Sequence, residues 1–118
     1  MSSPIPEFGL ATPGVEYILR PGGYAVIFNA AGKLAVVATP HGLAVPGGGQ
    51  EVGESPEDAA VREAREECGL RITLGQRIGI ADELVFAAEE NTYFRKRCAF
   101  FLAKIAETLG TGESDHEL

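Results

Sequence analysis

The sequence predicts an α+β fold, a mixed β-sheet with helical cover. Short apolar segments of strand length precede and follow one stretch with helical periodicity, and glycine or proline separates most of them. A chain of 118 residues, 45% of them hydrophobic, suits a single core, so we expect residues 1–118 to form one domain. Residues 1–14 contain three prolines and no periodicity, which predicts an irregular lead-in.

Composition argues against several classes of protein. A net charge of −7 disfavours a nucleic-acid polymer as partner, because such binding relies on neutralising phosphates. Residues 1–9 lack the basic and apolar regions of a signal peptide, and no apolar run approaches the roughly 18 residues of a membrane span. Cys68 and Cys98 are too few for a disulfide framework, so we expect reduced, buried thiols in a cytoplasmic protein with no membrane partner.

The first half of the chain predicts a series of short strands. Val15–Arg20 alternates like a strand that Pro21-Gly22-Gly23 would end. Tyr24–Asn29 and Leu34–Thr39 are predicted to pair as a hairpin around Gly32, with the second strand buried on both faces. Leu43–Val45 is expected to be a brief extended segment that enters the glycine run.

Clear signals delimit a helix after that run. Ser55 is a suitable N-cap, Pro56 suits the first helical position, and Asp58 completes a capping box. Gly69 fits the left-handed position after the last turn. The spacing places four small or apolar residues on one face: Ala60, Val61, Ala64 and Cys68.

The second half predicts further strands and a polar end. Ile72–Leu74 and Gln76–Glu83 are expected to be extended, with bends or bulges at Gly75 and Gly79. The strongest strand is Thr92–Ile105. Its alternation puts Tyr93, Arg95 and Arg97 on one face and Phe94, Lys96 and Cys98 on the other. The tail, Glu107–Leu118, is polar and predicts no terminating helix.

Three carboxylates, Glu63, Glu66 and Glu67, share the helix face beside the small residues. Like charges at this spacing destabilise a helix by roughly 0.2–0.5 kcal/mol per pair, so a positive group should offset them. Arginines and a bound metal are both candidates for that group. An exposed, solvated face is the ordinary alternative for glutamates on a helix.

The same stretch carries a spaced motif. Gly48 is followed after five residues by Glu54, and after seven more by Arg62-Glu63-Ala64-Arg65-Glu66-Glu67-Cys68-Gly69-Leu70. This resembles the box of the Nudix hydrolase (MutT-like) family, Gly-x5-Glu-x7-Arg-Glu-U-x-Glu-Glu-x-Gly-U, where U is a bulky aliphatic residue. Ala64, smaller than usual, is the one departure. The resemblance implies the Nudix fold, a mixed sheet in an α/β/α sandwich, with the C-terminal helix missing from this sequence.

The resemblance also implies an activity, the hydrolysis of the pyrophosphate bond in a nucleoside diphosphate linked to another moiety X. Mg²⁺ or Mn²⁺ would be bound by Glu63, Glu66 and Glu67 with the carbonyl of Gly47. These carboxylates and Arg62 would be catalytic, with Glu63 acting as a metal ligand or as the general base, and Gly48 and Glu54 would support them. The alternative is a non-catalytic domain that binds a nucleotide metabolite as a sensor or regulator.

Contacts with a nucleotide-type substrate are predicted at Arg95, Arg97, Tyr93 and His41. Cations on an edge strand can also protect against aggregation, and strand aromatics are commonly core residues. A sheet face without its usual second helix would leave an apolar patch. Either the sequence is a truncated form or a partner covers this patch, and our hypothesis for the partner is a homodimer or strand exchange.

Overall fold

The described residues, 4–109 and the backbone of 116–117 in a computed structural model, form two β-sheets and one helix. In chain order the elements are β1 (Glu7–Phe8), β2 (Ile18–Phe28), β3 (Val36–Thr39), β4 (Gly42–Ala44), β5 (Gly47–Gly49), α1 (Pro56–Cys68), β6 (Leu70–Ala87), β7 (Thr92–Thr108) and β8 (His116–Glu117). The larger sheet has the order β1-β6-β7-β2-β5, and the smaller has the order β4-β3-β8. The α+β class and the mixed sheet are confirmed.

Helix α1 covers one face of the larger sheet with small side chains. Ala60, Ala64 and Cys68 are buried there with Ala25, Ile27 and Phe101 of the sheet. Val61, which was predicted on the same face, is 37% exposed. No helix among the described residues has both the length and the apolar composition needed to span a membrane.

Both ends of α1 form as the sequence predicts. Ser55 and Asp58 exchange side-chain-to-backbone hydrogen bonds of 3.0 and 3.1 Å, which completes the capping box. Gly69 takes a left-handed conformation with φ of 64°, and its N–H donates to Arg65 in the last turn. These caps fix where α1 begins and ends, and therefore where its carboxylates point.

The predicted break at Pro21-Gly22-Gly23 is wrong, because β2 runs without interruption from Ile18 to Phe28. The two glycines are sites of close approach rather than of a turn. A Cβ on Gly22 would collide with the carbonyl oxygen of Gly48, and one on Gly23 with that of Pro56. Glycine in a strand interior is typical of such contacts.

The predicted hairpin is confirmed around its turn, whereas the described strands β2 and β3 belong to different sheets. Gly32 has the expected positive φ of 79°, and the antiparallel bridge between Phe28 and Leu34 lies between backbone hydrogen bonds of 2.9 Å from Asn29 to Lys33 and from Ala35 to Ile27. Strand β3 then pairs with β4 and β8 in the smaller sheet. Its burial is one-sided as well, since Val37 is buried whereas Ala38 and Thr39 are exposed.

Strands β6 and β7 confirm the irregularities predicted near Gly75 and Gly79, and both strands are longer than predicted. Strands β6 and β7 pair antiparallel, with register shifts between Leu74 and Arg77 and between Arg77 and Gly79. The lead-in is not wholly irregular, because β1 pairs parallel with β6. Of the polar tail, Glu107 and Thr108 end β7, and the backbone of β8 pairs antiparallel with β3. Residues 110–115 and 118 lie outside the described residues.

A buried carboxylate, Asp82, anchors the strand pair on the helix side of the sheet. Its side chain is 3% exposed and accepts two hydrogen bonds of 2.9 Å from Arg97 and one of 3.2 Å from Arg95. Arg95 also contacts Glu7 of β1 at 2.6 Å. The hydrogen bonds from Arg97 hold the pKa of Asp82 below its usual range.

Asp82→Asn is therefore expected to lower the free energy of unfolding by about 2–3 kcal/mol at pH 7, because two guanidinium groups lose their shared anion. A depressed folded-state pKa stabilises above the unfolded value, near 4, and this contribution is lost as the pH falls below it. The difference between wild type and variant should shrink from pH 6 to pH 3 in urea titrations. A difference that is constant across this range would contradict the assignment, and Glu89→Gln in an exposed turn is the control.

Candidate functional site

The glycine strand β5 lies against helix α1 at one edge of the larger sheet. It pairs antiparallel with β2, so that Gly23 faces Gly48 and Tyr24 faces Gly47. A Cβ on Gly48 would collide with the carboxylate of Glu63, which only glycine avoids. Proximity to the helix carboxylates therefore explains the glycine at position 48.

Arg62 joins the glycine run to the helix. Its guanidinium donates to both carboxylate oxygens of Glu54, at 2.8 and 3.1 Å, and to Glu66 and the carbonyl of Gly49, each at 3.1 Å. Glu51 lies 3.0 Å from it as a further ion pair. The hydrogen bond from Arg62 lowers the pKa of Glu54, and Arg62 itself is only 18% exposed. Because the same guanidinium group is also held by Glu54 and Gly49, it fixes the orientation of the Glu66 carboxylate.

The three helix carboxylates are crowded. Glu67 accepts a hydrogen bond of 2.9 Å from the backbone N–H of Gly47. Glu63 lies 3.6 Å from Arg62, too far for a strong hydrogen bond. Burial, followed by the charge of Glu67, raises the pKa of Glu63 to about 7. Arg62 thus offsets only part of the negative charge on this face.

The donor set suits a hard divalent cation, although no three His, Cys, Asp or Glu side chains within residues 4–109 already converge as a metal cluster. Carboxylate oxygens are the ligands that Mg²⁺ prefers. The place that a Cβ of Gly48 would take is occupied by the Glu63 carboxylate, so the glycine lets that carboxylate lie against the backbone of β5. The chemistry of the donors gathered here therefore fits such a cation.

A cavity of about 450 Å³ opens next to Glu67, between the two sheets. Its floor on the larger sheet includes Tyr24 and Phe100, stacked with ring centroids 5.4 Å apart. The remaining lining residues are Val37, Thr39, His41, Ala44, Val45, Gly47, Glu67, Glu83, Lys96 and Cys98. Burial raises the pKa of both Tyr24 and Cys98, so the tyrosine presents a hydroxyl and the cysteine a thiol. The volume lies within the usual range of small-molecule sites.

Of the four residues predicted to contact substrate, His41 lines this cavity and the other three lie apart from it. Arg95 and Arg97 are on the helix side of the sheet with Asp82. Tyr93 packs against Tyr17 and Phe86, with ring centroids 5.6 and 4.8 Å away. The predicted Arg62, Glu63, Glu66, Glu67, Gly47, Gly48 and Glu54 do come together.

Lys96 lines the cavity although the sequence predicted no role for it. The alternation of β7 placed it opposite Arg95 and Arg97, but nothing in the sequence indicated which face borders a cavity. Its shared face with Cys98 and Phe100 follows from the alternation, but the pairing of β7 with β2, which in turn pairs with the glycine strand β5, joins segments that are distant in the sequence.

A model of the family described as the NUDIX domain matches residues 19–118. The chain belongs to the Nudix family. This Nudix chain is 37% identical over 79 residues to an RNA pyrophosphohydrolase of Rhodospirillum rubrum, covering 63% of this chain and 47% of that protein. It is 38% identical over 65 residues to a mouse diphosphoinositol polyphosphate phosphohydrolase 3-alpha, covering 55% of this chain and 35% of that protein. The matches thus span between a third and a half of these relatives.

Solved structures agree with the Nudix fold. An ADP-ribose pyrophosphatase of Streptococcus suis superposes with a TM-score of 0.61 at 23% identity, over 84% of this chain and 69% of that one. A Nudix hydrolase of Nitrosomonas europaea gives a TM-score of 0.60 at 26% identity, over 83% and 70% of the two chains. These similarities support the sheet and helix arrangement described above.

Proposed function

We propose that this Nudix chain hydrolyses the pyrophosphate bond of a nucleoside diphosphate linked to another moiety X, with Mg²⁺ or Mn²⁺. One observation carries the proposal: Arg62 holds Glu66, the N–H of Gly47 holds Glu67 at the lining of a ligand-sized cavity, and the Glu63 carboxylate lies against Gly48 beside them. The names of both relatives describe phosphohydrolases, which supports the same reaction class here. In that reaction water adds to one phosphorus, the bridging P–O bond breaks, and two phosphate-bearing products leave.

Glu63, Glu66 and Glu67 would hold the cation, with the carbonyl of Gly47 as a further ligand. When bound, the cation would neutralise diphosphate charge and lower the pKa of a coordinated water. The chain's own part is to orient these ligands. Arg62 positions Glu66, and the N–H of Gly47 positions Glu67. Hydrogen bonds that orient the side chains bound to a metal typically contribute a factor of 10–100 to metal affinity or activity.

Glu63 differs from the other two carboxylates because no close hydrogen bond from Arg62 or Gly47 holds it. It can therefore serve as a cation ligand or accept the proton of the attacking water. Glu54, bound through both oxygens to Arg62, would act only by fixing the guanidinium.

Release of the two phosphate-bearing products from ADP-ribose, nucleotide sugars, dinucleoside polyphosphates and nucleoside triphosphates tests the proposal. We expect turnover of at least one substrate with Mg²⁺ and none with excess EDTA. Calorimetry on the same substrates identifies a sensor, which would bind without cleavage. Turnover that persists without divalent cations would contradict the proposal.

A further inference from the structure

Three consecutive cations in β7 have different surroundings. Arg95 and Arg97 are engaged by Asp82 and Glu7 on the helix side of the sheet. Lys96 faces the other side, is half-buried, and lines the cavity beside Glu67. Within residues 4–109, no carboxylate lies within 4.0 Å of its ammonium group. Of these three consecutive cations, Lys96 is therefore the one that remains available to a ligand.

Glu83 stands directly across from Lys96. The two are Cα partners in the antiparallel β6–β7 pair, so their side chains share one face. Both line the cavity, yet no ion pair joins them in the described part of the chain. A hydrogen-bond donor and an acceptor thus lie side by side in the cavity lining, with Lys96 half-buried and Glu83 exposed, and the aromatic pair Tyr24 and Phe100 belongs to the same lining.

The charged residues that line the cavity favour some classes of ligand over others. Its lining carries two carboxylates, Glu67 and Glu83, against one ammonium, Lys96, apart from His41. Phosphate groups beyond the diphosphate assigned to the cation would need several further positive side chains, and Lys96 supplies one ammonium group in this lining. A flat, uncharged heterocycle fits better, because it can pack on the aromatic and aliphatic lining while its edge forms hydrogen bonds.

We propose that Lys96 and Glu83 determine specificity by recognising the nucleobase of the substrate. Lys96 donates to a ring nitrogen or carbonyl oxygen, and Glu83 accepts from an amino or imino N–H. This rests on the proposed function, since it assigns the nucleoside part of that substrate to the cavity. Each nucleobase places donors and acceptors differently along its edge, so a fixed ammonium and carboxylate discriminate among bases.

Lys96→Met and Glu83→Met test the pair, because methionine keeps side-chain length and removes the polar group. Values of kcat/KM are measured for nucleoside triphosphates with each of the four bases and for an abasic ribose 5′-triphosphate. We expect the ratio between the best and the worst base to fall about tenfold in either variant. The kcat/KM for the abasic substrate should change less than twofold in either variant. In the controls Lys104→Met and Glu89→Met, both at exposed positions, every ratio between bases should also change less than twofold.

Binding of nucleoside 5′-monophosphates by calorimetry separates this proposal from hydrolysis. If the wild type cleaves no substrate, the proposed function fails, but base-dependent affinity that Lys96→Met removes would still support the base-recognition pair. Unchanged base ratios would overturn it. An equal loss of kcat/KM on the abasic substrate would also overturn it, because that result would place the two side chains at the phosphates. A wild-type affinity that does not depend on the base would overturn it as well.

Discussion

Replacement of Gly48 by alanine is expected to lower kcat by about 100-fold or more, with little change in melting temperature. The new Cβ would occupy the position of the Glu63 carboxylate, which is the end of a flexible side chain and can swing aside. The fold survives that movement, but a displaced catalytic group costs activity on this scale.

Gly49→Ala is the matched control, since its Cβ would come no closer than 3.4 Å to the Nε of Arg20. Its kcat should stay within about fivefold of wild type, well short of the loss from a misplaced group. Equal losses in the two variants would show that the strand needs glycine for its backbone alone, and not for the contact with Glu63.

Arg62→Gln is expected to lower both activity and stability. The guanidinium holds Glu54, Glu66 and the carbonyl of Gly49 at once, so its loss frees Glu66 and separates the loop from the helix. We expect a 10–100-fold loss in kcat. The free energy of unfolding should fall by about 1–3 kcal/mol, because charged hydrogen bonds are lost at a largely buried site.

Arg62→Lys keeps the charge but cannot form the fork, so it should recover part of the stability and little of the activity. Arg65→Gln, at an exposed position on the same helix, provides the comparison. An Arg62→Gln variant that behaves like Arg65→Gln in both measurements would contradict the positioning role.

Local signals in the sequence were sufficient where structure depends on neighbours in the chain. Ser55, Asp58 and Gly69 delimit α1 because capping is decided within a few residues. The spacing from Gly48 to Leu70 likewise predicted which side chains would meet. Here the helix period alone places Arg62 beside Glu66, and one short loop brings Glu54 to it.

Contacts between distant segments could not be predicted in this way. Gly22 and Gly23 have the pattern of a turn, and only the approach of Gly48 and of the first turn of α1 shows them to be packing positions. The cavity combines parts of β2, β3 and β7, so no single window of sequence indicates that Lys96 enters it. The two arginines beside it have equal charge, but the buried Asp82 engages them.

The comparison of Glu66→Gln with wild type tests the central claim most directly. Release of the phosphate-bearing products from the best substrate is measured across a Mg²⁺ titration, with Glu57→Gln on the exposed first turn as control. Glu66→Gln should lose at least about 100-fold in kcat/KM and require more Mg²⁺ for half-maximal rate, since a cation ligand is removed. The control should match wild type. Equal turnover and equal Mg²⁺ dependence in Glu66→Gln and wild type would contradict a cation-assisted hydrolysis at this helix.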